Sequence, residues 1–219
     1  MKSTEVNIGI DDTVFIKGQL NIPHDPNALV IFSHGSGSSR FSKRNKHVAE
    51  ILNKSNIATL LVDLLSEEED QVYENRFNIN LLADRLVKVT KYATKLSDLR
   101  DLGVGYFGAS TGAASALKAA VSLKGIIKAV VSRGGRPDLA GDSLRNVKAP
   151  TLLVVGSLDT TVVVLNQRAY SKLNCEKEIR IIEGASHLFE ESGKLDEVAG
   201  LALNWFNRHL ALNSVVLMK

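Results

Sequence analysis

The chain is nearly without cysteine. Cys175 is the only one among 219 residues, which excludes an internal disulfide and a zinc site built on cysteines. A lone thiol fits a reducing compartment, and Cys175 itself is expected to be a buried or idle thiol. Charge of one sign is also scarce. The formal net charge is +3, and no basic run is dense enough to track a nucleic-acid backbone. Long apolar runs are missing too. No stretch approaches the roughly 18 residues of a membrane span. The opening MKSTEVNIGIDDTVF lacks the apolar core, about 7–15 residues long, of a secretory leader. The expectation is a cytoplasmic protein that binds neither nucleic acid nor membrane. There is no internal repeat and no low-complexity segment.

What remains is ordinary soluble-protein composition, 44% hydrophobic and 23% charged, in a length suited to one domain spanning 1–219. A chain of this size buries on the order of 70% of its unfolded surface, enough for a core without covalent staples. Residues 5–10 and 13–22 alternate apolar and polar around Asp11-Asp12, which predicts an N-terminal β-hairpin. Continuous apolar runs follow at 28–34, 57–63, 104–109, 126–132, 149–157 and 178–184, as strands covered on both faces require. Helical patterns fall between them at 43–54, 78–95, 111–122, 162–173 and 194–210. Strands alternating with helices predict an α/β fold, a mainly parallel sheet flanked by helices. Its chemistry is then expected at the C-terminal strand ends. The connection 133–148 is too short for a large lid domain.

The strand at 104–109 runs into Gly108-Ala109-Ser110-Thr111-Gly112, a G-x-S-x-G pattern at a strand-to-helix turn. Such a turn lifts a serine hydroxyl above the sheet, and only glycine fits two residues to either side. Ser110 is therefore the candidate nucleophile, against an ordinary small turn residue. A serine needs a base, and the base an orienting acid. In the chain order Ser, Asp, His, His187 in the loop after the last strand is the base. Asp159, after the strand before it, is the acid. Helix capping is the competing role for Asp159, surface solvation for His187, and Asp138 and Asp142 are weaker acids. His209 falls within the last helix.

An oxyanion hole is expected from the backbone N–H of Thr111 and that of Ser36, in the loop His34-Gly35-Ser36-Gly37. His34 is expected to support that loop. A phosphate-cradling role for it is disfavoured, because G-x-x-x-x-G-K-[ST] is absent and Arg40 stands where G-x-G-x-x-G needs its third glycine. Arg133 and Arg136 follow a strand and could hold a substrate carboxylate or phosphate, with Arg40, Lys43 and Arg44 as a basic rim. Pairing with the acidic run Ser66–Asp70, or with solvent, is the alternative. The acidic run itself is expected to be a solvated loop. No cofactor and no metal is expected. For the apolar tail 211–219 the alternatives are docking on a second copy, as in a homodimer, and fraying.

Together, SHGSGSSRFSKRN, GYFGASTGAA, VVSRGGRPDLA and ASHLFEE resemble the α/β-hydrolase superfamily, and within it the dienelactone hydrolase-like branch. The resemblance covers nearly the whole chain and is specifically to the subset found alone or fused to phosphoribosyltransferase domains. It implies hydrolysis of a small ester, lactone or thioester through an acyl-enzyme, the substrate being anionic if the arginines face it. Dienelactone hydrolases proper use a cysteine nucleophile where this chain has Ser110, so the substrate name does not carry over. A non-catalytic ligand- or partner-binding protein of the same fold, and an acyltransferase using the same triad, are the alternatives.

Overall fold

The computed structural model describes residues 1–210; the tail 211–219, named above as a docking or fraying segment, lies outside them. The strands are β1 (Lys2–Gly9), β2 (Phe15–Ile22), β3 (Ala28–Ser33), β4 (Ile57–Val62), β5 (Gly103–Ala109), β6 (Ile127–Arg133), β7 (Thr151–Gly156) and β8 (Lys177–Ile182). They form a single eight-stranded sheet in the order β1-β2-β4-β3-β5-β6-β7-β8. β1 and β2 form the expected hairpin, and β2 pairs antiparallel with β4. From β4 to β8 every neighbouring pair is parallel. The hairpin turn is set by Asp11, whose Oδ1 accepts the N–H groups of Thr13 and Val14, an Asx turn.

The helices are α1 (Lys43–Lys54), α2 (Glu67–Asp70), α3 (Ile79–Ala93), α4 (Thr111–Ser122), α5 (Thr160–Lys172) and α6 (Lys194–Leu210). α1 begins where Ser42 accepts the N–H of Asn45, and α3 where Asn78 accepts that of Leu81; both are ordinary N-caps. Side chains of β3 alternate between two cores. Leu29 and Ile31 join Leu60, Leu86, Tyr106 and Leu117 on one face. Val30 and Phe32 join Leu52, Phe107, Trp205 and Phe206 on the other. β3, β4 and β7 are buried throughout, which is why their sequences read as unbroken apolar runs. No helix among the described residues is long and apolar enough to cross a membrane.

Two segments depart from the sequence reading. The acidic run is not a solvated loop. Ser66 and Glu69 make a reciprocal capping box that starts α2, and the pattern Ser-x-x-Glu was its sequence signal. Its carboxylates are tied to distant cations. Glu69 meets the buried Arg85, Asp70 meets Arg76 at 2.8 Å, and Glu67 meets Lys17 at 2.7 Å. The connection after β6, where no helix was expected, contains a kinked 3₁₀ helix over Pro137–Asn146. Pro137 at its start supplies a preset φ.

The strand order reverses around β3, with β4 on one side and β5 on the other. That reversal opens a crevice at the strand ends. Ser33 lies opposite Gly108, and Ala109 opposite Arg133. The loops after β3, β5 and β6 therefore leave the sheet at one level.

Candidate active site

Ser110 sits between β5 and α4 with φ 51° and ψ −125°. A left-handed φ is uncommon for a residue with a Cβ and costs on the order of 1–3 kcal/mol. Three backbone bonds hold it there. Its N–H donates to the Arg133 carbonyl at 3.4 Å, and its carbonyl accepts from Ala113 at 3.1 Å and Arg136 at 2.9 Å. The flanking glycines answer to sterics. A Cβ on Gly108 would lie 2.5 Å from the Ala113 Cα, and one on Gly112 2.1 Å from the Ser33 carbonyl oxygen. The turn therefore packs directly against β3 and its own helix.

Asp159 occupies the N-cap position of α5, yet its side chain caps nothing. It turns instead to His187, whose Nδ1 lies 2.6 Å from Asp159 Oδ2. The carboxylate thus accepts the Nδ1–H, which leaves Nε2 as the basic nitrogen. His187 and Ser110 line the same cavity of about 120 Å³, together with Ser36, Arg44, Asn45 and Arg133. No hydrogen bond joins the Ser110 hydroxyl to His187 among the described residues. Larger clefts open elsewhere, about 300 Å³ beside the hairpin and about 460 Å³ over Phe41 and Arg76. Neither brings a hydroxyl and an imidazole together, and in a third, of about 230 Å³, the imidazole is that of His34, whose two ring nitrogens are already bonded, so the smaller cavity is the chemical candidate.

The loop after β3 is fastened from beneath. The His34 Nδ1 lies 2.9 Å from the Gly35 carbonyl, and its Nε2 accepts the Leu64 N–H at 3.1 Å. Both ring nitrogens are occupied, so His34 supports the loop, as its sequence position suggests. Burial of the ring pushes its pKa below the ordinary value. The Ser36 N–H donates to Thr111 Oγ1 at 2.9 Å. The amide expected to face an oxyanion is therefore engaged by a side chain of the elbow.

The expected basic residues separate. Arg136 is held bidentately by Asp138, at 2.9 and 2.8 Å, and does not line the cavity. Arg40 is buried against Asp63 and Glu5, so it is a structural cation and not part of a rim. Arg44 lines the cavity while pairing with Glu190 at 2.8 Å. Arg133 is only 6% exposed and has no carboxylate partner among the described residues. Its Nε is buried without a hydrogen-bond partner, and the Phe189 ring lies 6.0 Å from the guanidinium. Burial first, and the nearby Arg44 charge second, lower its pKa to about 10. It remains a cation at neutral pH. Cys175 is partly buried, away from the cavity, and burial pushes its thiol up.

Sequence reasoning missed two supporting residues. Phe189 adopts φ 57° while almost wholly buried, which bends the His187 loop. Glu191 Oε1 accepts the Ser186 N–H at 3.1 Å and closes the same loop. Neither carries a local sequence signal.

No protein-family model matches the chain. It is 49% identical to a dienelactone hydrolase from Anabaena variabilis of known crystal structure, with a TM-score of 0.91, over 95% of this chain and 98% of that one. It is 50% identical over 210 residues to a Mycobacterium tuberculosis protein provisionally named a phosphoribosyl transferase, matching 96% of this chain. The same protein occurs in a second strain. This chain spans about half the length of those curated relatives, 47% of each. The esterase Est1E from Butyrivibrio proteoclasticus shares the fold at 17% identity, with a TM-score of 0.77 over 93% of this chain and 99% of that one.

Proposed function

The chain belongs to the dienelactone hydrolase-like family of α/β-hydrolases, and from that premise we propose that it is a serine hydrolase of small esters, lactones or thioesters, with Ser110 as nucleophile, His187 as base and Asp159 as orienting acid. The observation that carries this reading is the Asp159–His187 contact of 2.6 Å, made by a residue that forgoes its capping role, at the cavity holding the strained Ser110.

The Ser110 Oγ attacks the carbonyl carbon while His187 Nε2 takes its proton. Asp159 keeps the second ring proton on Nδ1 and balances the imidazolium. The carbonyl electron pair moves onto oxygen, which the Thr111 N–H stabilises at the positive end of α4. Collapse breaks the bond to the leaving alcohol, thiol or lactone oxygen, which departs with the proton from His187. Water then attacks the acyl-serine as His187 takes its proton, and collapse breaks the bond to Ser110 Oγ, which regains that proton from His187 as the acid is released. The cleft of about 460 Å³ shares Ser38 and Ser42 with the cavity and gives the larger part of a substrate somewhere to lie.

Arg133 supports an anionic substrate. A buried guanidinium without a partner is costly, and a substrate carboxylate or phosphate placed beside Ser110 would supply the missing counter-charge. Of the two arginines singled out by sequence, we assign this role to Arg133 and not to the Asp138-bound Arg136. We also take residues 1–219 as one catalytic domain working in the cytoplasm.

The test is hydrolysis of p-nitrophenyl acetate by wild type and Ser110→Ala. The variant is expected to lose about 10³-fold or more in kcat. An unchanged rate overturns the assignment.

A further inference from the structure

We propose that the Thr111 side-chain hydroxyl is itself an oxyanion donor, so that Thr111 supplies two donors and the Ser36 amide acts only by aiming one of them; this rests on the serine-hydrolase reading above. The starting observation is the 2.9 Å bond from Ser36 N–H to Thr111 Oγ1. An amide has one proton. While it points at the threonine oxygen it does not point at a substrate.

A hydroxyl has one donor and two acceptor sites. Thr111 Oγ1 has accepted, so its own proton must be given elsewhere, and no group among the described residues takes it. The residue is 6% exposed, so bulk solvent does not readily satisfy that donor. Thr111 is also the first residue of α4, so its amide is one of the first-turn donors with no partner inside the helix. Amide and hydroxyl of one residue lie close by covalent geometry, and both follow directly on the nucleophile. An oxygen turning negative as Ser110 attacks would find the two of them.

The loop is held in a way that suits an aiming role. Ser33 Oγ and Ser115 Oγ lie 2.8 Å apart, Ser115 is bonded to the Gly112 carbonyl at 3.0 Å, and His34 fixes the loop from the other side. The Ser36 amide is thus preset towards Thr111, and the hydroxyl it donates to is polarised for donation. No proton is transferred at this oxygen. The bond from Ser110 Oγ to the carbonyl carbon forms, the carbonyl pair moves to oxygen, and both hydrogen bonds shorten until the pair returns on collapse.

The experiment compares Thr111→Val, which keeps the shape and loses the hydroxyl, with Thr111→Ser, which keeps the hydroxyl, on p-nitrophenyl acetate. Thr111→Ala and Ser110→Ala run alongside, with folding checked by circular dichroism and melting. Loss of an oxyanion donor costs about 10²–10³ in kcat. That loss, with KM little changed, is expected for Thr111→Val and Thr111→Ala, while Thr111→Ser stays within about tenfold of wild type. If Thr111→Val does not fold, Thr111→Ala decides. A wild type without Ser110-dependent turnover removes the underlying reading and the proposal with it. If turnover is Ser110-dependent but loss of the hydroxyl leaves kcat within about threefold of wild type, or raises it, the proposal alone fails; the freed Ser36 amide is then the second donor.

Discussion

At Arg133 stability and the proposed function pull in opposite directions. Its guanidinium is buried, lacks a carboxylate partner and lies near a second cation, Arg44. Replacing it with a methionine of similar length removes a charge that the free protein does not neutralise. Arg133→Met is therefore expected to melt higher than wild type, a gain of about 1 kcal/mol or more. The same variant is expected to lose about 10–100-fold in kcat/KM on esters carrying a carboxylate, with neutral esters little affected, because a charge-assisted hydrogen bond is lost. Arg136→Ala is expected to leave the ratio of anionic to neutral substrates unchanged, since Asp138 already holds that side chain. Kinetics on a matched pair of esters check both. A methionine variant that melts lower than wild type, with the same substrate ratio, would remove Arg133 from the site. The glycines of the elbow are the steric counterpart. Gly112→Ala would place a methyl group 2.1 Å from the Ser33 carbonyl oxygen, and the backbone cannot yield without separating β3 from α4. Its expected cost is about 3 kcal/mol or more by urea denaturation.

At the scale of elements, α2 separates what a local motif shows from what it does. Its four residues are too few to be stable alone. The capping box starts the turn, but the ion pairs to Lys17, Arg76 and Arg85 hold it in place. Those ties are unequal. Arg85 is nearly buried and Glu69 mostly so, whereas Lys17 and Glu67 are exposed. Glu69→Ala leaves the buried Arg85 guanidinium only a long 3.7 Å contact with the exposed Asp84 and is expected to cost about 3 kcal/mol. Glu67→Ala breaks only a solvated pair, and its urea midpoint is expected to stay at the wild-type value. The helix and strand boundaries were legible for a related reason. The central strands are buried on both faces, so their apolar runs end where the strands end. Ser42 and Asn78 mark helix starts by local bonds. The 3₁₀ helix after β6 carries only the short apolar face of Pro137, Ala140 and Leu144, interrupted by a kink at Gly141, and its turns form against α4 and α5.

At the scale of the whole molecule, pH acts through the half-buried His34 beneath the loop after β3. Burial lowers the pKa of His34 in the folded protein, so the unfolded chain takes up the proton first. Stability from this group is complete above the unfolded value of about 6.5 and falls as pH drops below it. His209, also lowered by burial, acts in the same direction. Stability is expected to fall from pH 7.5 to 5.5, by no more than about 1.4 kcal/mol per pH unit from each group, seen as a falling melting temperature, and His34→Gln is expected to flatten that slope. A slope that His34→Gln leaves unchanged would show that the ring is not the group responsible. By itself the sequence determined the alternation of strands and helices, the hairpin, the elbow and the order Ser110, Asp159, His187, because burial on two faces, helical spacing and tight turns each select residue types locally. Only the tertiary structure decided that β3 lies between β4 and β5, that Asp159 turns from its helix to His187, that Arg136 is neutralised while Arg133 is not, and that the Ser36 amide is already engaged. Each depends on which distant side chain arrives within hydrogen-bonding distance, and no local pattern of residues specifies that.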